Sequence, residues 1–289
     1  MGDKTLSYRI HCLLPADRVL CLTDSKILTT REETDDDIEA DNAASIVEIP
    51  IYLKHSGGAV EMMTRDNVGL ALGFLYTPRI CFLHEKSFRG ILTCEVGQNP
   101  SELCLDEVKI RTLLNKPFYE MVSIRYVSDT VGYGLFAEEI LHAGDMLGEY
   151  TGMVLDISTS FNTYSLLFPS TDGNYQIDSS EYGNETRFIN HSSNPNCEYV
   201  HVVVDGLCHV ICVVKRDVRA GEQITVDYGK GYWEKLKTIS NILPVDNDQN
   251  HQDDHENTDP TPVEEEISCH LLCSLTPMFL LTCMMAACY

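Results

Sequence analysis

A β-hairpin signal in the second half of the chain constrains the fold more than any other local feature. Two alternating apolar runs, VHVVV ending at Val204 and LCHVICVV starting at Leu207, flank the pair Asp205-Gly206. A type I′ turn needs positive φ at both central positions, and Asp-Gly adopts that conformation readily. The pattern predicts an antiparallel hairpin, in which Cys208 and Cys212, four residues apart, lie on one buried strand face.

The residues around this hairpin continue in the same style. From Met121 onward, short apolar runs alternate with turns that contain glycine, and few segments have helical periodicity. Many short strands with few helices favour a β-dominated domain over roughly 120–235. We therefore predict a mainly β fold for this part of the chain.

The preceding residues 1–118 also contain strand-like runs, but they carry few motifs. IVEIPIYLKH (46–55), VGLALGFLYT (68–77) and ILTCEV (91–96) are apolar runs rich in β-branched or aromatic residues and bounded by Gly, Asn or Pro, so each predicts a strand. LCLDEVKIRTLLNK (103–116) predicts a short helix that ends before Pro117. The sequence does not disclose what this region does; we favour a scaffold packed on the second half over a separate partner-binding domain.

Charge is strongly acidic and unevenly distributed. The chain has 21 Lys and Arg against 44 Asp and Glu, a formal charge of −23. Residues 31–41 hold seven acids and one base, and residues 240–270 hold nine acids and no base. This balance excludes a strongly basic nucleic-acid binder, so we expect no direct nucleic-acid contact. It suits a Lys/Arg-rich peptide partner, although solvation of loops explains the two acidic runs equally well.

The twelve cysteines do not form a recognisable disulfide or zinc pattern. The first apolar run is short and is broken by Pro15 and Asp17, so we expect no signal peptide and reduced, intracellular thiols. No CxxC pair occurs, and the closest spacings are those of Cys208/Cys212 and Cys269/Cys273. These lack the paired knuckles of a structural zinc site.

Five short segments in a fixed order carry the functional signal. They are GYGLFA (132–137), GEYTG (148–152), TYSLLF (163–168), RFINHSSNPNC (187–197) and GEQITVDYG (221–229). Each alone is typical of an ordinary turn or strand end. Together they resemble the SET domain of protein-lysine methyltransferases, with RFINHSSNPN the most specific part. The resemblance covers about 121–233 and implies a SET-like (β-clip) fold in which a C-terminal segment is threaded under a loop.

The resemblance implies S-adenosylmethionine as cofactor and assigns residues to its site. Gly132, Tyr133 and Gly134 would form a loop against its methionine portion, because glycine permits close backbone approach. Asn190 and His191 would hold the adenosine. Plain turns or loop caps are the alternatives for these residues.

The resemblance also implies a channel for the substrate lysine. Tyr228 matches the catalytic tyrosine, and Tyr164 matches a tyrosine that lines cofactor and channel. Tyr150 is as typical of core as of a channel wall. Methyl transfer needs an in-line arrangement and a neutral lysine, whose ordinary pKa is about 10.4. Aromatic walls attract the cation and oxygens orient the amine.

The chain departs from many family members in two ways. Ser193 stands where a zinc-binding cysteine often follows N-H-S, and no cysteine triad follows Tyr228. We therefore predict no metal site, and we expect another lid over the channel. Gly229 to Trp233 is the candidate, as a flexible hinge followed by Tyr232 and Trp233; an ordinary packing anchor is the alternative. Val226 replaces a Phe or Tyr that often stands two residues before the catalytic tyrosine.

The last residues contain a second unusual feature. Residues 267–289 carry no Lys, Arg, Asp or Glu, a length that could cross a bilayer. Pro277 and the acidic flank argue against insertion, so membrane contact of this tail is not favoured.

These observations divide the chain into four parts: a β-rich region of unknown role (1–118), a SET-like catalytic domain (119–235), an acidic linker (236–266) and an uncharged apolar tail (267–289). We expect an intracellular protein-lysine N-methyltransferase in nucleus or cytoplasm, with a basic peptide, favoured to be a histone tail, as substrate. A non-histone substrate and a catalytically silent SET-like binding module are the alternatives.

Overall fold

The computed structural model describes residues 6–8, 18–23, 26–32, 34–35, 46–82, 88, 107–115, 120–157, 162–167, 175–204 and 207–242. Most of the described elements are short strands, as the sequence predicts. The strands are β1 Leu6–Tyr8, β2 Arg18–Thr23, β3 Lys26–Glu32, β4 Glu48–Tyr52, β5 Glu61–Thr64, β6 Leu75–Tyr76, β7 Cys81–Phe82, β8 Val122–Ser128, β9 Gly132–Ala137, β10 Met146–Glu149, β11 Met153–Asp156, β12 Ser165–Leu167, β13 Tyr175–Asp178, β14 Tyr182–Gly183, β15 Asn190–His191, β16 Cys197–Val204, β17 Leu207–Val214 and β18 Thr225–Val226. The helices are α1 Arg65–Leu72, α2 Glu107–Asn115 and α3 Lys230–Ile242, with a 3-10 helix at Glu185–Phe188.

The predicted hairpin is present. Strands β16 and β17 pair antiparallel from Cys197 opposite Val214 to Val204 opposite Leu207. Every residue of β17 is buried, because β10 pairs with its other edge and side chains pack on both faces. Cys208 and Cys212 are accordingly 2% and 0% exposed. The turn residues 205–206 lie outside the described residues.

Strands from the N-terminal region join the sheets of the C-terminal half. β4 pairs parallel with β8, β7 pairs parallel with β11, and β6 pairs parallel with β14. β8 then pairs with β9, so the four-stranded sheet has the order β5-β4-β8-β9. Residues 48–82 thus contribute strands to the same sheets as 122–183. The division of the chain at 118/119 stays a prediction about folding units.

Helix α1 corrects the strand expected over 68–77. The Thr64 side chain accepts a hydrogen bond from the Asn67 N–H, and Gly73 ends the helix at φ 80°. Val68 and Leu72, four residues apart, both contact the core, which is helical and not strand periodicity. Only Leu75 and Tyr76 of that run form a strand. The helix predicted within 103–116 is confirmed as α2, and the strand predicted at 91–96 lies outside the described residues.

Two hydrophobic cores lie on the two sides of the hairpin strands. One gathers side chains of α2, β7, β11, β13, β16 and β17, including Phe82, Phe88 and Ile110. The other gathers side chains of β4, α1, β8, β9 and β18, including Phe74 and Phe188. Strand β17 contributes side chains to both cores, mostly to the first and through Cys212 and Val214 to the second, so this strand connects them. The mainly β fold class is confirmed, and the threading of its C-terminal segment stays a prediction.

Helix α3 corrects the expectation of a flexible hinge at 229–231. Gly229 has φ 78° and makes the turn, but Lys230 and Gly231 already belong to the helix. Tyr232 and Leu236 lie four residues apart on one side, and Leu236 is 3% exposed. The helix therefore runs across the expected linker boundary at 235/236 to residue 242. Among the described residues, no helix is both long and apolar enough to span a bilayer; the 267–289 tail lies outside them.

Candidate functional site

The segment 184–191 is held by buried polar contacts. Asn184 caps the 3-10 helix by accepting a hydrogen bond from the Thr186 N–H at 3.0 Å, and its amide donates to the Glu149 carbonyl at 2.9 Å. The Arg187 guanidinium donates to the Ser179 carbonyl at 2.9 Å. Because these groups are buried, losing any partner would leave an unpaired polar atom. Arg187 thus acts as a structural clamp on this segment.

Pairing of β15 with β18 brings two distant motifs together. Asn190 lies opposite Thr225, and His191 lies opposite Val226, in a short parallel pair. The Tyr228 N–H donates to His191 Nδ1 at 3.2 Å, and the Tyr228 hydroxyl donates to the Ile189 carbonyl at 2.9 Å. The RFINHS and VDYG segments therefore form one unit around Tyr228.

The glycine loop at 132–134 packs against this unit. Gly132 adopts φ 77°, which a residue with a side chain rarely does. The Asn190 side-chain amide donates to the Tyr133 carbonyl at 3.2 Å. A Cβ added to Gly134 would meet Asn190 Nδ2 at 3.0 Å and would lie closer still to Gln223 Nε2. Side chains of Asn190 and Gln223 therefore fill the space beside Gly134, and a residue with a Cβ would not fit there without displacing them.

This arrangement fits the cofactor that the resemblance implies. The Asn190 amide contacts the carbonyl of the glycine loop, and His191 follows Asn190 in β15. Such a combination offers donors and acceptors to a nucleoside and an amino-acid portion at once. The structure thus brings Asn190 against the glycine loop, with His191 next to it; the assignment of these residues to one cofactor site stays a prediction.

An aromatic cluster formed by His191, Tyr228, Tyr232 and Trp233 borders the site. Ring centroids are 4.7 Å apart for Tyr228 and Tyr232, 5.0 Å for His191 and Trp233, and 5.1 Å for Tyr232 and Trp233. The Tyr228 and Trp233 rings are nearly parallel, at 6.4 Å and 25°. All four residues are partly exposed, so the cluster has a solvent-facing side. The first turn of α3 supplies Tyr232 and Trp233.

Tyr164 lies in a different environment from this cluster. Its ring packs on the Arg187 guanidinium at 4.2 Å from the ring centre. Its carbonyl accepts a hydrogen bond from the Tyr150 hydroxyl at 2.7 Å. No ring contact between Tyr164 and Tyr228 occurs among the described aromatic pairs, so the place of Tyr164 in a channel stays a prediction.

Tyr150 belongs to the core. Its side chain is buried, and its ring packs edge-on against Tyr199 at 5.5 Å. Burial raises the pKa of the Tyr150 phenol far above its usual range, so this group stays neutral. Of the two interpretations left open by the sequence, the structure supports packing.

A buried polar network surrounds Asn196, and the sequence analysis did not predict it. Asn196 is 1% exposed, its amide donates to the Gln223 carbonyl at 2.8 Å, and its oxygen accepts from the Thr225 N–H at 2.8 Å. The Asn196 amide also donates to Glu222 Oε1 at 3.2 Å. Burial alone would raise the pKa of Glu222, but hydrogen bonds from Arg219, Asn196 and Arg216 lower it below its ordinary value. Asn196 is thus a buried support for β18; its place in the NPN run is the signal that could have indicated this.

Possible metal ligands are not grouped near the site. Within the described ranges, no three or more His, Cys, Asp or Glu side chains are placed to hold one ion. Ser193 is exposed. The absence of zinc stays a prediction, since residues 243–289 include Cys269 and Cys273 and lie outside those ranges.

Comparison with known proteins agrees with this geometry. A family model of the SET domain matches residues 132–229. The chain is 30% identical over 167 residues to the putative histone-lysine N-methyltransferase ASHH4 of Arabidopsis thaliana, covering 47% of the chain and 46% of that protein. It is 32% identical over 139 residues to histone-lysine N-methyltransferase 2B of Homo sapiens, covering 45% of the chain and 5% of that protein.

A third relative is putative histone-lysine N-methyltransferase 1 of Plasmodium falciparum, 38% identical over 109 residues, with 35% of the chain and 2% of the relative covered. The chain thus spans less than half the length of these relatives. The residues matched by the SET-domain model include the glycine loop, the RFINHS segment and the VDYG segment. Residues 132–229 thus match the SET domain, the family that the sequence motifs resemble.

Proposed function

We propose that the chain is an S-adenosylmethionine-dependent protein-lysine N-methyltransferase. The observation that carries the proposal is the β15–β18 pairing, which places Asn190, His191 and Tyr228 in one hydrogen-bonded unit beside Gly132–Gly134. The match to the SET domain, and relatives named histone-lysine N-methyltransferases, support the same activity.

The residues that would hold the cofactor are those of the glycine loop together with Asn190 and His191. S-adenosylmethionine, when bound, supplies an electrophilic methyl group on a sulfonium. Because Gly134 has no side chain, the Asn190 amide can pack directly against the loop. The Asn190 amide, oriented by the Tyr133 carbonyl, would present its oxygen to donors of the cofactor.

Tyr228 would orient the attacking lysine amine. Its hydroxyl proton is directed to the Ile189 carbonyl, so its oxygen serves as an acceptor for an amine N–H. A tyrosinate acting as general base would have to give up that hydrogen bond. It would also have to be ionised at neutral pH, well below its ordinary pKa of about 10. Loss of the lysine proton to water before transfer is therefore the simpler route, with Tyr228 aligning the neutral amine.

The aromatic cluster would form the wall of the lysine channel. Tyr232 and Trp233 pack directly on Tyr228 and His191, so α3 can cover the site without a zinc-binding lobe. Aromatic faces attract the incoming ammonium group. Tyr164 would contribute from the other side of Arg187.

A basic, flexible protein segment is the substrate class that suits the acidic chain, and the names of the relatives favour a histone tail. A histone substrate would place the enzyme in the nucleus. A non-histone protein is the second candidate. Val226 is buried in the core beside the site. This residue alone does not determine how many methyl groups are transferred.

The test is methyl transfer to protein. We would incubate the chain with radiolabelled S-adenosylmethionine, core histones and a cell extract, and map label to lysine by mass spectrometry. Tyr228→Phe is the matched control: it should keep the fold and cofactor affinity and lower turnover at least about tenfold, or about 1.4 kcal/mol of transition-state stabilisation. Cofactor binding without label on any protein lysine would instead identify a silent binding module, and wild-type turnover in Tyr228→Phe would remove Tyr228 from the mechanism.

A further inference from the structure

Arg65 is a buried cation far from the site in sequence. It is the first residue of α1 and is 2% exposed. Its Nε and Nη2 donate to Glu185 Oε1 at 3.2 and 3.0 Å, and its Nη1 donates to the Val47 carbonyl at 3.1 Å. Glu185 is 4% exposed. Burial alone would lower the pKa of Arg65, but the Glu185 charge and neighbouring groups raise it, so the guanidinium stays charged.

Stability alone does not account for such a pair. Removing two charges from water costs about as much as their attraction returns, so an apolar pair of similar volume usually serves stability as well or better. What two N–H donors to one carboxylate oxygen add is a defined geometry, because the planar guanidinium can donate both hydrogen bonds only over a narrow range of partner positions. The question is therefore what this pair positions.

Glu185 begins the 3-10 helix that leads directly into the site. Phe188, the last residue of that helix, packs edge-on against Phe74 at 5.8 Å and against Tyr133 at 6.3 Å. The next residue, Ile189, accepts the Tyr228 hydroxyl, and Asn190 and His191 follow. Displacement of Glu185 would thus be passed within one short helix to the groups around Tyr228.

The segment around Arg65 holds the same stretch at further points. Leu75 N–H donates to the Glu181 carbonyl at 2.8 Å, and Thr77 N–H donates to the Gly183 carbonyl at 2.9 Å, through the β6–β14 pair. The Arg187 guanidinium lies 4.2 Å from the Phe74 ring centre. Residues 47–82 therefore form a frame behind 181–188, and the Arg65–Glu185 pair is its charged contact.

We propose that Arg65, acting through Glu185, is a positioning residue for the cofactor-binding segment 189–191. The frame formed by residues 47–82 thereby contributes to cofactor affinity. This inference rests on the proposed function, because it assumes that Asn190 and His191 bind S-adenosylmethionine.

The experiment compares Arg65→Met with Ile110→Ala. The control removes side-chain volume from the other core, in α2, and is expected to destabilise the fold without touching 181–191. Calorimetry with S-adenosylhomocysteine should show at least about tenfold weaker binding for Arg65→Met and little change for the control. In turnover assays the KM for the methyl donor should rise more than kcat falls. Equal weakening in both variants would mean that lost stability, not positioning, explains the effect.

A second variant keeps the test decisive if Arg65→Met folds poorly. Arg65→Met/Glu185→Met replaces the pair by apolar side chains and should regain stability. Positioning predicts that cofactor binding stays at least about fivefold weaker than in the wild type. Wild-type affinity in a stable double variant would overturn the proposal.

Amide hydrogen exchange separates this inference from the proposed function. Exchange of the 186–191 amides should be faster in Arg65→Met than in Ile110→Ala, whether or not cofactor is present. Unchanged exchange there would contradict positioning even if the enzyme methylates lysine. A wild-type chain that binds no S-adenosylhomocysteine would contradict the proposed function, while faster exchange in Arg65→Met would still support the mechanical link.

Discussion

Substituting Gly134 by alanine tests the close approach between the glycine loop and the RFINHS segment. The backbone of Gly134 is not in the left-handed region, so alanine there carries no backbone strain and the effect is purely one of space. The new Cβ would lie 3.0 Å from Asn190 Nδ2 and 3.1 Å from Phe136 Cε2, and would also overlap Gln223 Nε2. The Gln223 amide is the end of a flexible side chain and can move aside.

Asn190 has less freedom, because its amide donates to the Tyr133 carbonyl at 3.2 Å. Overpacking of this kind costs about 1–3 kcal/mol of unfolding free energy. If the Asn190 hydrogen bond is lost and the side chain is no longer oriented, about 0.5–1.5 kcal/mol is removed from cofactor binding. The dissociation constant for S-adenosylhomocysteine should therefore rise about two- to twelvefold.

Calorimetry and urea unfolding would be run on Gly134→Ala, Gln223→Ala and the double variant. Removing the Gln223 side chain relieves one of the overlaps, so the double variant should regain part of the stability. It should still bind cofactor weakly, because the contact with Asn190 remains. Wild-type affinity in Gly134→Ala would refute the inference that Asn190 packs against the loop because Gly134 has no side chain.

Three further outcomes are expected. Trp233→Ala should raise the KM for a peptide substrate more than it changes cofactor affinity, as measured by steady-state kinetics and calorimetry; indifference of peptide KM would reduce Trp233 to a packing anchor. Strong chelators should leave methylation unchanged and metal analysis should find no stoichiometric zinc, because Ser193 replaces the expected ligand; activity that is lost and then restored by zinc would reveal a site built from distant cysteines. The lowered pKa of Glu222 means that its contribution to stability is present above the ordinary carboxyl pKa of about 4.5 and is lost as the pH falls through the lower folded-state value. Glu222→Gln should therefore show a smaller loss of unfolding free energy between pH 5 and 3 than the wild type, measured by urea unfolding, and an identical pH dependence in both would contradict the network around Asn196.

Local patterns in the sequence were enough for several elements. The β16–β17 hairpin follows from alternation around Asp205-Gly206, and α2 follows from its apolar spacing before Pro117. The segments GYG, RFINHS and VDYG indicate the SET domain because their order and residue types are written in the chain itself. Each of these signals depends on residues that are close together in sequence.

The exceptions depend on contacts between distant residues. The run at 68–77 has strand-like composition, but the Thr64 cap, the Gly73 turn and burial of Val68 favour a helix. The hinge expected after Tyr228 is helical, because a helix buries Leu236 in the core. In both cases tertiary packing outweighs a weak local preference.

The candidate site also combines residues that the sequence indicates with contacts that only the tertiary structure determines. The sequence alone indicates Asn190, His191 and Tyr228 as candidates, because they lie in the RFINHS and VDYG segments. Only the tertiary structure determines that β15 pairs with β18, and that Tyr228 contacts Ile189 across 39 positions. The Arg65–Glu185 pair joins residues 120 positions apart, and neither has a local pattern that indicates the other. Such contacts arise when separate sheets and helices pack on a common core, so no window of sequence contains the information that specifies them.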